Sequence, residues 1–342
     1  MWSPAEAGRR QLRLRIAQVS AEARTGSARA EPRDRRPLAA IGLKVASVLA
    51  FVMMFTCLKV AGDVPAGQLV FFRSAFAFVP LLLIMAWRKQ LKGGFRTKAP
   101  LSHVARGLVG VSSMGLGFFA LTRLPLPEAV TLGYAQPLLI VVFSALFMGE
   151  LVRAYRWAAV CVGFVGVLVI SWPKLTLFTS GAGLDNAQAI GVAAALTSAA
   201  ASAIAMLLVR RLVHTERSAT IVLWFTMTST VVALMTLPFG WVFLNNQQFI
   251  LLVTAGLFGG LGQIAMTESY RHAEASTVAP FEYTSMIWAT VAGYLVFSEL
   301  PSLNMLVGGS IVVAAGIFII WREHRLGLER GTARQVSPPS GT

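Results

Sequence analysis

Apolar stretches of about 20 residues recur along nearly the whole of this 342-residue chain, separated by short polar connections. A helix of that length crosses the roughly 30 Å hydrocarbon core of a bilayer. Only 13% of the residues are charged, about half the share of an ordinary soluble domain. Backbone in lipid must satisfy its hydrogen bonds internally, as helices and closed barrels do. The length of the stretches therefore predicts an all-α integral membrane protein.

Ten such stretches can be placed, which predicts ten transmembrane helices. They cover residues 38–60, 67–87, 101–121, 127–148, 154–172, 187–209, 218–240, 248–268, 274–297 and 303–321. Pro or Gly marks many of the connections. Only the connection 173–187 resembles a linker, and it divides the chain after five spans.

Lys and Arg are distributed unequally between the two sides of the predicted spans. Twenty-four lie in the two tails and in alternate connections, and the other connections hold only Arg123 and Lys174. Loops rich in Lys and Arg remain in the cytoplasm. We therefore expect both termini to be cytoplasmic. This placement in short loops also argues against nucleic acid as the partner of a chain whose formal net charge is +15.

Residues 1–37 differ from the rest, with nine Arg and four acids. An Arg-rich start also occurs in transit peptides, and a start site placed upstream of the native one would leave the same segment. We predict a disordered cytoplasmic tail here and a second cytoplasmic tail at 322–342. The membrane part then consists of two units, 38–172 and 187–321.

The two units repeat one another at a constant offset of 149 residues. The pairs include Gly107 with Gly256, Tyr134 with Tyr283, and Trp172 with Trp321. Because each unit has five spans, an odd number, the second enters the membrane from the opposite side. The sequence thus predicts two inverted five-helix repeats, an arrangement common in secondary transporters.

The sequence contains no motif typical of a catalytic, metal-binding or cofactor-binding site. None of the three Asp lies inside a span, and the four His are scattered without metal-ligand spacing. There is no phosphate-binding loop of the Gly-x-x-x-x-Gly-Lys type. We predict neither catalytic residues, nor metal ligands, nor a cofactor.

Polar side chains deep in the spans are the candidates for function, because a charge at the centre of a span costs about 2.5–3.5 kcal/mol on insertion scales. Arg73 and Glu282 each lie about a third of the way into a span. Arg73 is equally compatible with a structural contact to backbone carbonyls. No cation lies one turn from Glu282 in its own span, which favours a protonatable or substrate-contacting role. Lys44 and Lys59, near the two ends of the first span, are expected to extend towards the membrane surfaces.

Helical spacing groups further polar and aromatic residues. Phe281, Ser285 and Trp288 are expected to share one face of the ninth span, and Thr131 and Tyr134 one face of the fourth, where Pro137 frees a backbone carbonyl. For any one aromatic residue, ordinary packing between helices is an equally valid interpretation. The candidate substrate-binding residues are Arg73, Thr131, Tyr134, Gln136, Gln263, Tyr270, Phe281, Glu282, Tyr283, Ser285 and Trp288.

Several motifs resemble the drug/metabolite transporter superfamily, EamA type. They are Phe71-Phe-Arg-Ser74, the run from Leu124 to Pro137 that reads LPLPEAVTLGYAQP, and Gly149-Glu150. The resemblance covers residues 38–321. It implies a multi-pass protein of the bacterial inner membrane that works by alternating access. It also implies a central cavity lined by the first four spans of each half, with the fifth spans at the periphery.

A narrower resemblance links the chain to the bacterial riboflavin-importer subgroup. It rests on His103-Val-Ala-Arg-Gly-Leu-Val-Gly110, Tyr134-Ala-Gln-Pro137 and Ser171-Trp-Pro-Lys174. The same stretches resemble relatives that carry other organic solutes. The favoured interpretation is uptake of riboflavin or a related flavin. Export of amino acids, drugs or other metabolites, a membrane-embedded transferase, and a structural or receptor-like protein remain alternatives. Oligomeric state has no signature in the sequence.

The predicted topology is testable with reporter fusions. We expect fusions at Thr342 and in the loop near Gly93 to report a cytoplasmic position, and a fusion at Asn245 to report the outer side, because the charge asymmetry requires it. An alkaline-phosphatase and green-fluorescent-protein pair at each position measures this. Asn245 and Gly93 on the same side would contradict the ten-span inverted arrangement.

Overall fold

The computed structural model describes residues 37–89, 91, 93–149, 152–175, 187–212, 215–272 and 275–336. Within them every regular element is a helix, which confirms the predicted all-α class. The predicted N-terminal tail up to residue 36, Glu150, most of the predicted linker and residues 337–342 lie outside the described residues.

The helices are numbered here in chain order. They are α1 (Pro37–Val60), α2 (Ala66–Trp87), α3 (Pro100–Leu121), α4 (Leu126–Gly133), α5 (Ala135–Met148), α6 (Ala154–Leu175), α7 (Ala187–Leu212), α8 (Ser218–Leu234), α9 (Asn246–His272), α10 (Ala275–Val278), α11 (Thr284–Phe297) and α12 (Leu303–Val336). Short 3-10 helices lie at Leu237–Phe239 and Ala279–Tyr283.

These helices correspond in order to the ten predicted spans. In the described residues, eight spans are long and apolar enough to cross a bilayer. Span seven, α8, is shorter, and span nine is divided into α10, a 3-10 turn and α11. Span four changes direction between α4 and α5 at Tyr134. The last helix continues to Val336, so residues 322–336 of the predicted tail are helical.

The halves interlock. Span one packs along span eight, and span three along span six, which are equivalent pairs under the repeat. Spans five and ten pack against each other. The two large hydrophobic cores both combine residues from the two halves; one unites Leu58 and Phe72 with Leu252 and Ala289. Neither half therefore buries its apolar surface alone.

Glycines allow the closest helix contacts in the structure. A Cβ added to Gly166 would lie 2.6 Å from the Gly308 carbonyl oxygen. A Cβ added to Gly256 would lie 2.7 Å from the Phe72 carbonyl oxygen, and one on Gly260 would lie 2.9 Å from the Ala77 carbonyl oxygen. Backbone cannot move aside as a flexible side chain does, so these positions require glycine.

One contact outside the membrane also joins the halves. Glu216 accepts hydrogen bonds from the Thr97 hydroxyl (2.6 Å) and from the Lys98 backbone N–H (3.0 Å). These bonds hold the pKa of the Glu216 carboxyl below its usual range. The loop after span two is thereby attached to the loop after span six.

Substitution of Gly166 tests the seam between spans five and ten. Gly166→Ala should lower the free energy of unfolding by about 1–3 kcal/mol, the usual effect of overpacking, because the new methyl group meets backbone. The matched control is Gly115→Ala, where an added Cβ has nothing within 4 Å. Thermal unfolding of the detergent-purified proteins measures both. Equal melting temperatures for Gly166→Ala and wild type would contradict the contact.

Candidate functional site

The breaks in spans four and nine face one another. They occur at Tyr134 and Tyr283, which are equivalent in the repeat, and the two rings pack edge to face with centroids 5.0 Å apart. The Ser285 hydroxyl donates to the Glu282 carbonyl (2.7 Å). The Tyr134 hydroxyl lies 2.6 Å from the Ser285 oxygen and is therefore the donor of that bond. Tyr134, Tyr283 and Ser285 of the predicted site thus come together at the junction of the halves.

Each break follows from proline chemistry. Pro137 has no N–H to bond the carbonyl one turn earlier, and the Tyr134 N–H instead bonds the carbonyl of Thr131, three residues back. In span nine Pro280 lies at the start of the 3-10 turn. This turn ends between Phe281 and Ser285, so the spacing that groups Phe281, Ser285 and Trp288 crosses a change of helix type.

A buried ion pair lies beside these breaks. Lys44 of span one is fully buried and pairs with Glu282 of span nine. The Lys44 ammonium also lies 5.2 Å from the centre of the Tyr270 ring. The prediction that Lys44 extends to the membrane surface is wrong, because a carboxylate from the other half offers a partner within the protein. Glu282 has its cation on a neighbouring span, which sequence spacing within span nine could not show.

The same two spans are joined again at their other ends. Lys59 of span one pairs with Glu299 at 2.5 Å and donates to the Leu124 carbonyl at 2.7 Å. Glu299 also accepts from the Leu126 N–H at 2.8 Å. Lys59 thus extends towards the connections after spans three and nine, as expected, but it is paired there and its side chain is only 14% exposed. The two lysines are about 22 Å apart along the helix, so the ion pairs join opposite ends of spans one and nine.

Arg73 and Gln263 lie in a different place, where spans two, seven and eight meet. Both line a cavity that has room for about one water molecule. Arg73 is only 8% exposed. Its Nε is buried without a hydrogen-bond partner in the described part of the chain. The structure thus divides the predicted site between this cavity and the junction at Tyr134.

The other predicted site residues form no described hydrogen bond with the Lys44–Glu282 pair. The Thr131 hydroxyl is fully buried and donates to the Pro127 carbonyl of its own helix at 2.7 Å. Gln136 and Phe281 are half-buried. The Trp288 indole nitrogen is buried without a hydrogen-bond partner among the described residues. None of these four contacts the Lys44–Glu282 pair in a described hydrogen bond.

Sequence reasoning gave no functional role to Lys44, Lys59 or Arg106. One feature of the sequence could have marked all three as candidates, since each is a charged residue inside an apolar stretch. Arg106 lies in span three with its guanidinium 3.8 Å from the centre of the Phe225 ring. Position in the sequence alone could not distinguish a lysine that reaches the surface from one that is paired inside.

The site offers ion pairs, hydroxyls, amides and aromatic rings. Among the described residues, no group of three or more His, Cys, Asp or Glu side chains is arranged to hold a metal ion. The hydroxyl and amide groups can form hydrogen bonds with polar groups of a small molecule. The lysine–glutamate pairs can separate if the two halves move apart.

Comparison with curated proteins finds relatives over most of the chain. The pseudopaline exporter CntI of Pseudomonas aeruginosa is 30% identical over 80% of this chain and 93% of its own. A riboflavin transporter of Rhizobium johnstonii is 28% identical over 82% and 88%. An S-adenosylmethionine uptake transporter of Rickettsia felis is 25% identical over 75% and 84%.

A solved crystal structure shares the fold. It superposes with a TM-score of 0.57 at 20% identity, over 84% of this chain and 98% of that one. The EamA-like transporter family matches the chain twice, at residues 38–172 and 189–322. The two matches coincide with the two halves that interlock in the structure. The chain belongs to the EamA-like transporter family.

Proposed function

We propose that the protein is a secondary transporter that moves a small organic metabolite across the bacterial inner membrane by alternating access. The observation that carries this proposal is the double connection between spans one and nine. The Lys44–Glu282 and Lys59–Glu299 pairs tie one span of each half together near both ends. In the predicted topology the first pair lies towards the cytoplasm and the second towards the outside.

Alternating access then consists of separating one pair while the other remains. Opening towards the cytoplasm would separate Lys44 from Glu282 and expose both to water, with the Lys59–Glu299 contact as the closed side. The Glu282 side chain is already 47% exposed, so protons or substrate groups can reach it. A protonated Glu282 would no longer attract the Lys44 ammonium, which couples protonation to opening.

The pseudo-equivalent seam between spans four and six has a different chemistry. Ala193 and Leu208 stand at the positions equivalent to Lys44 and Lys59, and Gly133 stands at the position equivalent to Glu282. Glu150 stands at the position equivalent to Glu299 and lies outside the described residues. In the described part of the chain, the lysine–glutamate pairs that join the halves lie between spans one and nine, so we assign the coupling step to these spans.

Uptake of riboflavin or a related flavin is our specific substrate proposal. The riboflavin transporter among the relatives supports it, as do the aromatic and hydroxyl groups at the junction of the halves. Stacking from Tyr134, Phe281 and Trp288 would hold the ring, and Gln136 and Ser285 would bond its polar edge. Gln263 lies elsewhere, in the cavity with Arg73. Export is the second candidate, favoured by the relative that is named an exporter.

The coupling proposal predicts a transport defect in Glu282→Gln, which keeps the size of the side chain and removes its charge. We expect at least tenfold slower transport in proteoliposomes and a changed dependence of transport on pH, because the variant has no carboxylate to pair with Lys44. The labelled probes are riboflavin and S-adenosylmethionine. The matched control is Asp63→Asn, an exposed acid, which should transport like wild type.

Stability of the same variant gives an independent measurement. Loss of one partner from a buried pair costs about 3–5 kcal/mol. Here we expect about 1–3 kcal/mol, because Glu282 is half exposed and water replaces part of the pair. Adding Lys44→Met to Glu282→Gln should restore part of the loss. Wild-type transport at every pH, with unchanged melting temperature, would show that the pair has neither role.

The flavin proposal predicts growth of a riboflavin auxotroph. A strain unable to make riboflavin should grow on low external riboflavin when it expresses this protein, and Trp288→Ala should raise the concentration required, because an aromatic contact adds about 0.5–1.5 kcal/mol beyond area burial. Membrane expression is checked by blotting. If the inserted wild type neither supports growth nor accumulates labelled riboflavin, riboflavin is not the substrate, and the transporter proposal is tested with the other probes.

A further inference from the structure

Arg73, which is buried, and Arg106, which is half-buried, lie around one cavity wall in the first half, and neither pairs with a carboxylate among the described residues. Arg73 of span two lines the cavity between spans two, seven and eight. Arg106 of span three lies over the ring of Phe225, which belongs to the wall of the same cavity. Arg73 Nε and Arg106 Nε and Nη1 are buried with no hydrogen-bond partner among the described residues.

The acids that the structure describes in or near the membrane are engaged elsewhere. Glu282 and Glu299 pair with Lys44 and Lys59, and Glu268 pairs with Arg88. Glu128 accepts from the Ser302 hydroxyl. None of them forms an ion pair with either arginine. The described part of the chain therefore provides a carboxylate for both lysines of span one and for neither of these arginines.

A buried cation such as Arg73, with a second guanidinium nearby that also has buried, unused donors, is unfavourable unless an anion joins them. Arginine presents its donors in a planar fork that matches a carboxylate or a phosphate. Gln263 adds an amide to the same cavity. Gly259 keeps space beside the fork, because a Cβ there would lie 3.4 Å from Arg73 Nε and 2.9 Å from Met54 Sδ. These groups together form a site for an anionic group.

We propose that Arg73 and Arg106 bind a carboxylate or phosphate group of the transported metabolite. This inference rests on the proposed transport function and narrows its substrate class to organic anions. The cavity between the spans now has room for about one water molecule, so the anion enters only when the halves separate on one side. Riboflavin has no such group, so this inference competes with the proposal of riboflavin uptake, and a flavin meets the requirement only as its phosphate ester.

Binding to the purified protein tests the proposal without knowledge of the natural substrate. The protein is placed in nanodiscs of phosphatidylcholine alone, and its thermal unfolding is measured at constant ionic strength. The probes are matched pairs of an acid and a neutral partner that has no carboxylate or phosphate: riboflavin 5′-phosphate with riboflavin, and glutarate with glutaramide. S-adenosylmethionine and inorganic phosphate are measured separately. We expect at least one organic acid to raise the melting temperature where its neutral partner does not.

Variants then assign the binding to the two arginines. Arg73→Gln and Arg106→Gln should each weaken the apparent affinity for that acid about tenfold or more, as expected for loss of a charge-assisted hydrogen bond. The matched control is Arg123→Gln, which also removes a guanidinium stacked on a phenylalanine, 3.5 Å from the Phe119 ring centre. It should bind like wild type. Arg73→Lys, which retains charge without the fork, serves if Arg73→Gln does not fold.

The outcomes separate this inference from the transporter proposal. The inference is overturned if every organic acid in the panel binds no better than its neutral partner. It is also overturned if both arginine variants bind the acid with wild-type affinity. Stabilisation by inorganic phosphate equal to that by every organic acid would show an anion site that is not a substrate site. Stabilisation only after anionic lipid is added would assign the site to a lipid headgroup. Acid binding without uptake of any probe by proteoliposomes would overturn the transporter proposal instead.

Discussion

The ion pair between Lys44 and Glu282 is the interaction on which the arrangement of the two halves depends. An ammonium group in hydrocarbon has no water to solvate it, and Lys44 is fully buried. Its partner lies 238 residues away in the sequence, in the other half. The second lysine of span one repeats this connection with Glu299. Span one of the first half is therefore attached to span nine of the second at two levels of the membrane.

Apolar packing alone would not select this arrangement. Lipid tails are as apolar as leucine, so helices in a membrane associate through close packing and polar contacts. Close packing comes from glycines such as Gly166, Gly256 and Gly260, which bring a neighbouring span against their backbone. Polar contacts come from the lysine pairs. Close packing is favourable in one geometry only. An ion pair at a half-exposed seam can separate when water reaches it, and the proposed alternating-access step requires such a separation.

The contrast between lysines and arginines connects structure to function. Lys44 and Lys59 have internal carboxylates, while Arg73 and Arg106 have none among the described residues. A buried charge that pairs with another residue joins two parts of the protein. A buried charge without such a partner is available to bind a ligand. The fold does not decide the ligand. Relatives with these two repeats are named for riboflavin, S-adenosylmethionine and pseudopaline.

The sequence by itself determined the class of protein and the order of its helices. Stretches of about 20 apolar residues can only be helices in a bilayer, and the offset of 149 residues shows the two halves directly. Tyr134 and Tyr283, predicted as equivalent positions, both mark breaks in the structure. This part was accessible because length, periodicity and proline position act locally along the chain.

Only the tertiary structure decided which polar residues meet. Helical spacing grouped Phe281, Ser285 and Trp288, but this group crosses the change of helix type at the end of the 3-10 turn Ala279–Tyr283. The position of Lys44 near the start of span one predicted that its side chain reaches the membrane surface, whereas in the structure Lys44 pairs with Glu282. The partner of a buried charge lies on another helix, and no pattern within one span encodes that helix. Its identity follows from how the halves cross, which depends on packing between residues distant in sequence.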